Sequence, residues 1–440
     1  MQKDNSGLPP EFADRFTEPF ARFVKIEAAA GCALLIATCA AVILSNSQWS
    51  AQFLAFWETP IGLDVGSWDI TRSLRHWIND GLMTLFFFVI ALELKRALVL
   101  GELRDLRAAA LPFSGALGGM LIPVSLYVPL MWGQPGMHGW GTVMATDTAF
   151  VIGCLALLGS RIPPTLRLFL LSLAIFDDVG AIAVVAISYS DSLNWMPLAL
   201  AVLGLSAVAA FARLGIRSVP FYFLLGGVIW LCFDGSGIHA TITGVILGLM
   251  TPTHGWVSDE RLRAVLGRAL SHPTGDCWSG DTIERRDLLR AGTALTEALS
   301  PVERLEMMLH PWAGFVVMPI FALANAGVAI HGGDLGQPVS MAIFAGLVFG
   351  KPIGVLTFSW LAVRVGLASR ALRLSWPLLA AGSLLTGIGF TMSLFIAGLA
   401  YDHAILNSAK LGILAGSTVS AAVGLLMLFW LTHAKRIPLA

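Results

Sequence analysis

Long apolar runs recur along the whole sequence, and they dictate which class of fold it can adopt. Most of them are long enough to cross about 30 Å of hydrocarbon as an α-helix. Twelve runs of this kind lie at residues 24–44, 74–96, 109–131, 139–158, 165–188, 195–212, 219–234, 237–251, 311–330, 339–363, 376–400 and 411–433. The sequence therefore predicts an all-α polytopic membrane protein with twelve transmembrane helices, built as a single integral membrane domain over residues 1–440.

The composition indicates that most of the surface faces lipid. The 440 residues are 56% hydrophobic and only 13% charged, whereas a soluble domain carries about 25% charged residues. There are too few polar side chains to cover a water-facing surface, so the main predicted partner is the lipid bilayer. The net charge is zero, and no basic patch indicates a nucleic-acid partner.

Two of these runs have alternative interpretations. The first run could be a cleaved signal peptide, although the acidic residues before it argue against this, because signal peptides favour a basic start. The runs at 219–234 and 237–251 could be counted as one long element, because only a very short stretch separates them.

Arginine and lysine residues gather in alternate connections, and this pattern predicts the orientation. In membrane proteins these residues are in excess on the cytoplasmic side. Three connections contain neither residue type and are assigned to the outer face: 132–138, 189–194 and 331–338. We therefore expect an even number of spans, with the N- and C-termini both in the cytoplasm.

Two connections are longer than the others. Residues 45–73 contain "IGLDVGSWDITRS", whose glycine turns and alternating apolar residues predict a short hairpin on the outer face. Residues 252–310 form an extended cytoplasmic loop with a Gly/Ser/Pro-rich middle, "SHPTGDCWSGD", which we interpret as a solvated linker. Near its end, Ser300 and Glu303 have the spacing of a capping box and predict a helix that starts at Pro301.

Four ionisable residues lie near the middles of predicted spans: Asp147, Asp177, Asp178 and Lys351. Each costs roughly 2.5–3.5 kcal/mol at the centre of a spanning helix, so we expect one polar cluster in which Lys351 is the counter-ion of one carboxylate. Adjacent helical positions diverge by about 100°, so one aspartate of the pair can face a cavity while the other faces Lys351. A salt-bridged helix contact without a transport role is the alternative, but one base cannot balance three acids.

Two spans carry polar or glycine-rich sequences in their middles. "MATDT" places Thr146 in the middle of span 4, and "LTGIGFTMS" places Gly387 and Gly389 in the middle of span 11. Each is the central span of a set of three, spans 3–5 and 10–12, and paired interruptions of this kind indicate a transporter with inverted-topology repeats. We therefore predict two discontinuous helices, with Asp147 beside positive half-helix ends and Lys351 beside negative ones.

The chain resembles the NhaA-type sodium/proton antiporter family. The motifs "ATDTAF", "FDDVGAI", "SGIHATITGV", "LHPW", "FALANAGV", "GKPIG" and "GIGFTMSLFIA" occur in family order and extend the likeness from about residue 24 to 433. The resemblance implies a secondary active transporter and not an enzyme. It would exchange cytoplasmic sodium or lithium for external protons by alternating access, electrogenically and under pH regulation. It would need no cofactor beyond the transported ions and would lie in the bacterial inner membrane.

The resemblance also implies roles for individual residues. Asp178 would be the principal sodium ligand and proton carrier, and Asp177 would be a second ligand or the partner of Lys351. Thr146 would offer an oxygen to the ion, and Asp147 and Lys351 would neutralise the half-helix ends. The family further suggests a homodimer, which we expect to form through the outer hairpin because a hairpin offers a free sheet edge.

Four residues match family positions linked to pH response or to acids near the entrance: His239, Glu93, Asp80 and Glu306. The chain departs from the family near this group. Ala97 stands where a second acid often follows "LELKR", Met307 stands where a histidine often occurs beside "LHPW", and the 252–310 loop looks long. We therefore expect the pH profile to differ from that of other members.

Two other classes compete with this interpretation. An intramembrane aspartyl protease also uses two buried aspartates, but its carboxylates must lie close together, whereas adjacent helical positions diverge. A proton-conducting channel or a redox-pump subunit would also hold buried carboxylates. Saturable proton efflux that depends on sodium would distinguish an antiporter from a channel.

Overall fold

The structure is a computed structural model that describes residues 27–62, 64–65, 68–69, 71–189, 193–216, 218–270, 283–330, 333–369 and 374–434. The acidic N-terminal segment and the Gly/Ser/Pro-rich sequence at 271–281 lie outside these ranges. The described residues are mainly helical, so the chain is an all-α membrane protein with very short strands in one connection.

The described residues in the first half of the chain contain nine α-helices. In chain order they are α1 Glu27–Ser45, α2 Ser50–Trp57, α3 Leu74–His76, α4 Met83–Val99, α5 Leu106–Leu130, α6 Thr148–Leu158, α7 Pro164–Ser188, α8 Trp195–Arg213 and α9 Val219–Ser236. A π-helical stretch, Trp77–Leu82, joins α3 to α4. Short 3₁₀ helices occur at Glu102–Arg104, Met137–Val143 and Gly159–Arg161.

The second half of the chain contains ten more α-helices among the described residues. They are α10 Ile242–Met250, α11 Asp259–Leu270, α12 Ile283–Ala298, α13 Pro301–Trp312, α14 Met318–Asn325, α15 Pro338–Ala345, α16 Lys351–Arg364, α17 Trp376–Leu385, α18 Phe390–Ala400 and α19 His403–Ala434. Two π-helical stretches, Ala313–Val317 and Gly346–Gly350, join α13 to α14 and α15 to α16. A 3₁₀ helix lies at Asp334–Gly336.

Many helices in the described part of the chain are long and apolar enough to cross a membrane. Eight pass by length and composition, or up to ten if each of two bent pairs is one span. The bent pairs are α1 with α2, at 120°, and α17 with α18, at 47°. The chain is thus a multi-pass membrane protein, while the count of twelve spans stays a prediction.

Local sequence signals fix several helix ends. Pro164 begins α7, where its missing N–H costs nothing. The Ser375 side chain caps α17 by accepting from the Leu378 N–H at 3.4 Å. Gly237 ends α9 with a φ of 82°, a left-handed conformation that favours glycine. The run predicted at 237–251 is consequently helical only over the nine residues of α10.

The helices fall into two compact units. The first contains Met1–Leu82, Ala110–Tyr189 and Pro311–Ala440, and the second contains Met83–Ala109 and Ser190–His310. All four ionisable residues from the predicted span centres belong to the first unit. The second unit contains the extended loop and its helices α11 and α12.

Close backbone contacts hold the helices of the first unit together. A side chain at Gly118 in α5 would overlap the carbonyl oxygen of Gly354 in α16, and one at Gly354 would overlap Gly118. Gly31 in α1 and Gly153 in α6 are opposed in the same way. Small residues allow the helix backbones to approach this closely. In lipid there is no hydrophobic driving force between helices, so such close van der Waals packing is a main cause of their association. The Gly118–Gly354 contact fixes the helix that begins with Lys351.

The second unit is held by a similar contact and by helix caps. A side chain at Gly244 in α10 would overlap the Thr84 carbonyl of α4. The predicted capping box is confirmed, because the Ser300 N–H donates to Glu303 Oε2 at 3.2 Å and the Glu303 N–H donates to Ser300 Oγ at 3.3 Å. The following helix, α13, begins at Pro301 as the sequence predicts.

Short antiparallel strands lie in the connection between α2 and α3. Strand β1, Pro60–Ile61, pairs with β4, Arg72–Ser73, and strand β2, Asp64–Val65, pairs with β3, Trp68–Asp69. These strands fall in the segment for which the sequence predicts a hairpin, although residues 63, 66, 67 and 70 lie outside the described residues.

Candidate ion-binding site

Three structural elements of the first unit bring the four predicted charged residues together. Helix α7 carries Asp177 and Asp178 near its middle, and α16 begins with Lys351 directly after a π-helical stretch. Asp147 lies in a non-helical segment, 144–147, between a 3₁₀ helix and α6. None of these four side chains is more than 2% exposed. They form a buried polar cluster within one unit.

The two interrupted segments are bonded to each other. Helix α17 ends at Leu385 and α18 starts at Phe390, so residues 386–389 face the 144–147 segment as a second break. The Asp147 N–H donates to the Ile388 carbonyl at 2.7 Å, and the Thr146 hydroxyl donates to the Thr386 carbonyl at 3.0 Å. Backbone groups left without helical partners therefore satisfy one another across the breaks.

Glycines make this crossing possible. A side chain at Gly387 would overlap the carbonyl oxygen of Leu347, and one at Gly389 would overlap Ser393 Oγ. Both glycines that the sequence predicts at the interruption of span 11 thus lie where the 386–389 segment is in close contact with neighbouring atoms. Larger residues would push the two segments apart.

The Asp147 carboxylate caps two helices at once. As the N-cap of α6, its Oδ1 accepts from the Phe150 N–H at 3.0 Å. Its Oδ2 accepts from the Thr391 N–H at 3.0 Å, in the first turn of α18, and also from the Thr391 hydroxyl. Helix N-termini carry partial positive charge, so one negative group stabilises both ends. Its two oxygens are fully used in this role.

Lys351 joins the aspartate pair to the negative end of α17. Its Nζ donates to Asp177 Oδ2 at 2.6 Å and also to the Thr146 hydroxyl. That hydroxyl donates in turn to the carbonyl of Thr386, which caps the C-terminus of α17. The lysine therefore lies near the C-terminus of α17, with Thr146 between them.

Asp178 has a different environment from its neighbour. Its Oδ2 accepts from the Thr148 hydroxyl at 3.1 Å. Its Oδ1, like Asp177 Oδ1, is buried and accepts no hydrogen bond from the residues that the structure describes. Buried carboxylate and hydroxyl oxygens are the ligands of small hard cations. The donor set around Asp178 therefore fits a cation such as sodium, or a proton on the carboxylate.

The sequence places Thr148 and Thr391 in the middles of spans 4 and 11, but it predicts no role at this site for either of them. Thr148, the first residue of α6, is the hydroxyl beside Asp178, whereas the Thr146 hydroxyl lies between Lys351 and Thr386. "TDT" offers both hydroxyls, and only the position of the break decides which one faces which partner. Thr391 is the second residue without a predicted role. Its position in the first turn of the helix after Gly387 and Gly389 is the sequence feature that could have identified it as a partner of Asp147.

Three of the four tyrosines surround the 3₁₀ helix that precedes the first break. The Tyr127 hydroxyl donates to the Gly136 carbonyl at 2.7 Å and lies 2.8 Å from the Tyr401 hydroxyl. The Tyr189 hydroxyl donates to the His138 carbonyl at 2.8 Å. These tyrosines come from the ends of α5, α7 and α18, so they fix the short helix from three sides.

The candidates for pH response are distributed over both units. Glu306 in α13 pairs with Arg96 Nε at 2.6 Å and lies within electrostatic range of Glu93. The structure thus brings Glu93 and Glu306 together within the second unit. His239, half-buried, lies in the turn between α9 and α10 of the same unit.

Asp80 belongs to the first unit, not to the second. It lies in the π-helical stretch between α3 and α4 and is only 6% exposed. Its Oδ2 is 3.1 Å from His76 Nε2 one helical turn earlier. The structure therefore places it beside a histidine within its own unit.

Comparison with known proteins agrees with this architecture. The sequence matches the family model described as Na+/H+ antiporter 1 over residues 21–428. It is 59% identical to the Na(+)/H(+) antiporter NhaA of Rhizobium meliloti (strain 1021) over 436 residues, which cover 99% of this chain and 100% of that relative. It is 53% identical to the Na(+)/H(+) antiporter NhaA 2 of Vibrio vulnificus (strain CMCP6) over 421 residues, which cover 96% and 94%.

The helical fold with its buried charged cluster is that of a multi-pass membrane protein, and an antiporter family is a family of transporters. The chain belongs to the Na+/H+ antiporter 1 family. The resemblance to NhaA-type antiporters inferred from its motifs is confirmed.

Proposed function

We propose that the chain exchanges cytoplasmic sodium or lithium for external protons at Asp178. The observation that carries this proposal is that the two adjacent aspartates have different partners. Asp177 is held by Lys351 at 2.6 Å, whereas Asp178 has a single hydroxyl partner at 3.1 Å. A buried carboxylate with a free oxygen can hold a proton or a cation, but not both. Competition between them gives exchange.

The ligands of the ion would come from three side chains. Asp178 supplies a carboxylate, Asp177 supplies the oxygen that Lys351 does not use, and a threonine hydroxyl completes the set. The resemblance assigns that hydroxyl to Thr146, and the hydrogen bond to Asp178 favours Thr148. Asp147 takes no part in binding because both of its oxygens cap helices. High cytoplasmic proton concentration would stop transport by occupying Asp178.

The scaffold that we propose has twelve spans with both termini in the cytoplasm of a bacterial inner membrane. Spans 4 and 11 would be discontinuous helices in inverted repeats formed by spans 3–5 and 10–12. The bonded breaks at 144–147 and 386–389 support this arrangement. Alternating access would then expose Asp178 to each side in turn.

We further propose that the exchange is regulated by pH and that it moves net charge across the membrane. The pH-responsive group would include Glu306, which contacts Arg96 and lies within electrostatic range of Glu93. His239 and Asp80 are further candidates for the response to pH. Ala97 and Met307 leave this group with fewer titratable side chains than the family pattern, so the pH profile would differ from that of other members. The transporter would act without a cofactor.

Everted membrane vesicles carrying the protein provide the test of exchange. After respiration has acidified the lumen, added sodium should restore the fluorescence of a pH-gradient dye, saturably and more strongly as the medium becomes alkaline. Potassium should have no such effect, and vesicles from the same host without the protein serve as the control. A proton leak that needs no sodium would contradict antiport and would favour a channel.

We also propose that the outer connection joins two copies of the chain into a homodimer. The strands β2 and β3 form a two-stranded sheet, which leaves each strand with an unpaired edge among the described residues. Edges of this kind pair with other strands. Two copies of the connection would then form a sheet across a twofold axis.

Deleting residues 62–70 should produce monomers that still transport. The deletion removes β2 and β3 but keeps β1 and β4, which pair with each other. Native mass spectrometry of the purified variant gives its oligomeric state, and the vesicle assay gives its activity. A variant with a Gly/Ser linker of equal length is the matched control for chain length. Dimers that survive both changes would place the interface elsewhere.

A further inference from the structure

The Tyr189 hydroxyl is inserted into the backbone of the 3₁₀ helix Met137–Val143. It donates to the His138 carbonyl at 2.8 Å and accepts from the Gly141 N–H at 3.1 Å. A 3₁₀ helix pairs the carbonyl of residue i with the N–H of residue i+3, so one regular turn would join these two groups to each other. A side chain inserted in this way kinks a helix. The kink lies in this turn, at Gly139, with φ −77° and ψ 16°.

Tyr189 links this turn to helix α7. It directly follows α7, and its N–H donates to the Val185 carbonyl at 3.1 Å in the last turn of that helix. The backbone of the 3₁₀ helix leaves room for it, because a side chain at Gly141 would lie 2.8 Å from the tyrosine hydroxyl and 3.1 Å from its ring. A larger residue at 141 would displace the tyrosine from the turn.

Helix α7 also carries the aspartate pair, so the chain from the 3₁₀ helix to α6 is bonded to α7 at two positions. Tyr189 makes the first contact, and the Thr148 hydroxyl makes the second by donating to Asp178 Oδ2 at 3.1 Å. The non-helical segment 144–147 lies between them. Along α7 the two positions are about 16 Å apart at 1.5 Å per residue. Tyr189 therefore does not touch the ion site but fixes the chain that enters it.

We propose that Tyr189 is a positioning residue that sets the geometry of the sodium site through Thr148. Without its hydroxyl, the His138 carbonyl and the Gly141 N–H would pair with each other, the kink would relax, and Thr148 would move relative to Asp178. Selectivity between cations depends on the size of the cavity and on the number and flexibility of its ligands, so this movement would affect sodium and lithium unequally. The inference rests on the proposed function, because it takes Asp178 as the carrier.

Initial rates of exchange in everted vesicles test the proposal. Tyr189→Phe removes only the hydroxyl and should raise the KM for sodium by about fivefold, the factor that corresponds to one hydrogen bond. The maximal rate per transporter should be nearly kept. The ratio of the sodium KM to the lithium KM should also change, which a general loss of stability would not cause.

Tyr127→Phe is the matched control. The Tyr127 hydroxyl donates to the Gly136 carbonyl at 2.7 Å, directly before the same 3₁₀ helix, but it comes from α5, which carries no residue of the ion site. The variant should lower the apparent Tm and leave both KM values unchanged. An equal rise of the sodium KM in Tyr127→Phe would overturn the inference, because loosening of the 3₁₀ helix from any side would then suffice.

Two further variants test the route from Tyr189 to the site. If the tyrosine acts through the Thr148 hydroxyl, adding Tyr189→Phe to Thr148→Val should raise the sodium KM no further than Thr148→Val alone. Additive effects would overturn the inference. Gly141→Ala should reproduce the effect of Tyr189→Phe by displacing the hydroxyl, and it carries the comparison if Tyr189→Phe fails to fold.

The wild-type vesicles separate failure of this inference from failure of the proposed function. Without saturable exchange that depends on sodium in the wild type, the proposed function fails and this inference fails with it. With that exchange present, unchanged KM values in both Tyr189→Phe and Gly141→Ala would overturn the inference alone.

Discussion

Asp178→Asn should abolish sodium/proton exchange at every pH while the protein still folds into the membrane. Asparagine has nearly the same shape and keeps an oxygen that can accept from Thr148, which lies 3.1 Å away. It cannot ionise, so it can neither release a proton nor attract sodium by charge. Because the site depends on competition for one carboxylate, the loss should be complete. Asp177→Asn should have a less uniform effect, because that carboxylate is engaged with Lys351.

Isothermal calorimetry at alkaline pH gives the decisive measurement. The wild-type protein should bind sodium and release protons, and Asp178→Asn should do neither. Asp402→Asn is the matched control, because it makes the same substitution at an exposed position between α18 and α19. Sodium binding with proton release by Asp178→Asn would show that another group is the carrier.

Replacing Lys351 by alanine should reduce stability more than any other single change at the site. The substitution leaves Asp177 buried at 1% exposure without its counter-ion and takes a donor from Thr146. Removing one member of a buried ion pair costs about 3–5 kcal/mol. The apparent Tm of the purified variant should fall accordingly. Lys351→Arg, which keeps the charge, should retain folding and much of the activity.

The double variant Asp177→Asn/Lys351→Ala tests whether the ion pair is the cause. With both members of the pair neutral, neither leaves an uncompensated buried charge, so part of the lost stability should return. The four proteins of this cycle give the coupling free energy of the pair. A double variant no more stable than Lys351→Ala would mean that Lys351 stabilises the fold through other contacts.

The sequence alone was sufficient to predict the polar cluster, for a physical reason. Charged residues in the middle of apolar runs are so costly that they must meet, and four of them at one depth leave few arrangements. What the sequence left open was the partner of Lys351. Asp177 and Asp178 diverge on one helix, so the choice depends on the side from which α16 approaches, and close packing at Gly118 and Gly354 fixes that approach.

Residue composition alone did not predict two features correctly: which threonine hydroxyl meets Asp178, and where the helix in the run at 237–251 begins. Thr146 and Thr148 are chemically alike, and the position of the break alone decides that Thr148 meets Asp178. The run at 237–251 is predominantly apolar, but α10 starts only at Ile242 because Gly237 turns the chain. Apolar character predicts burial in lipid or protein, and it does not distinguish a helix from a buried turn.

The clustering of tyrosines gives the protein its own set of spectroscopic labels. The chain contains four tyrosines, three of which bond around the 3₁₀ helix Met137–Val143. The fourth, Tyr222, donates to the Ile216 carbonyl at 2.8 Å in the second unit. Biosynthetic incorporation of 3-fluorotyrosine should therefore yield four fluorine resonances. Three would respond when an ion or a proton shifts the first break, and Tyr222 would serve as the internal reference.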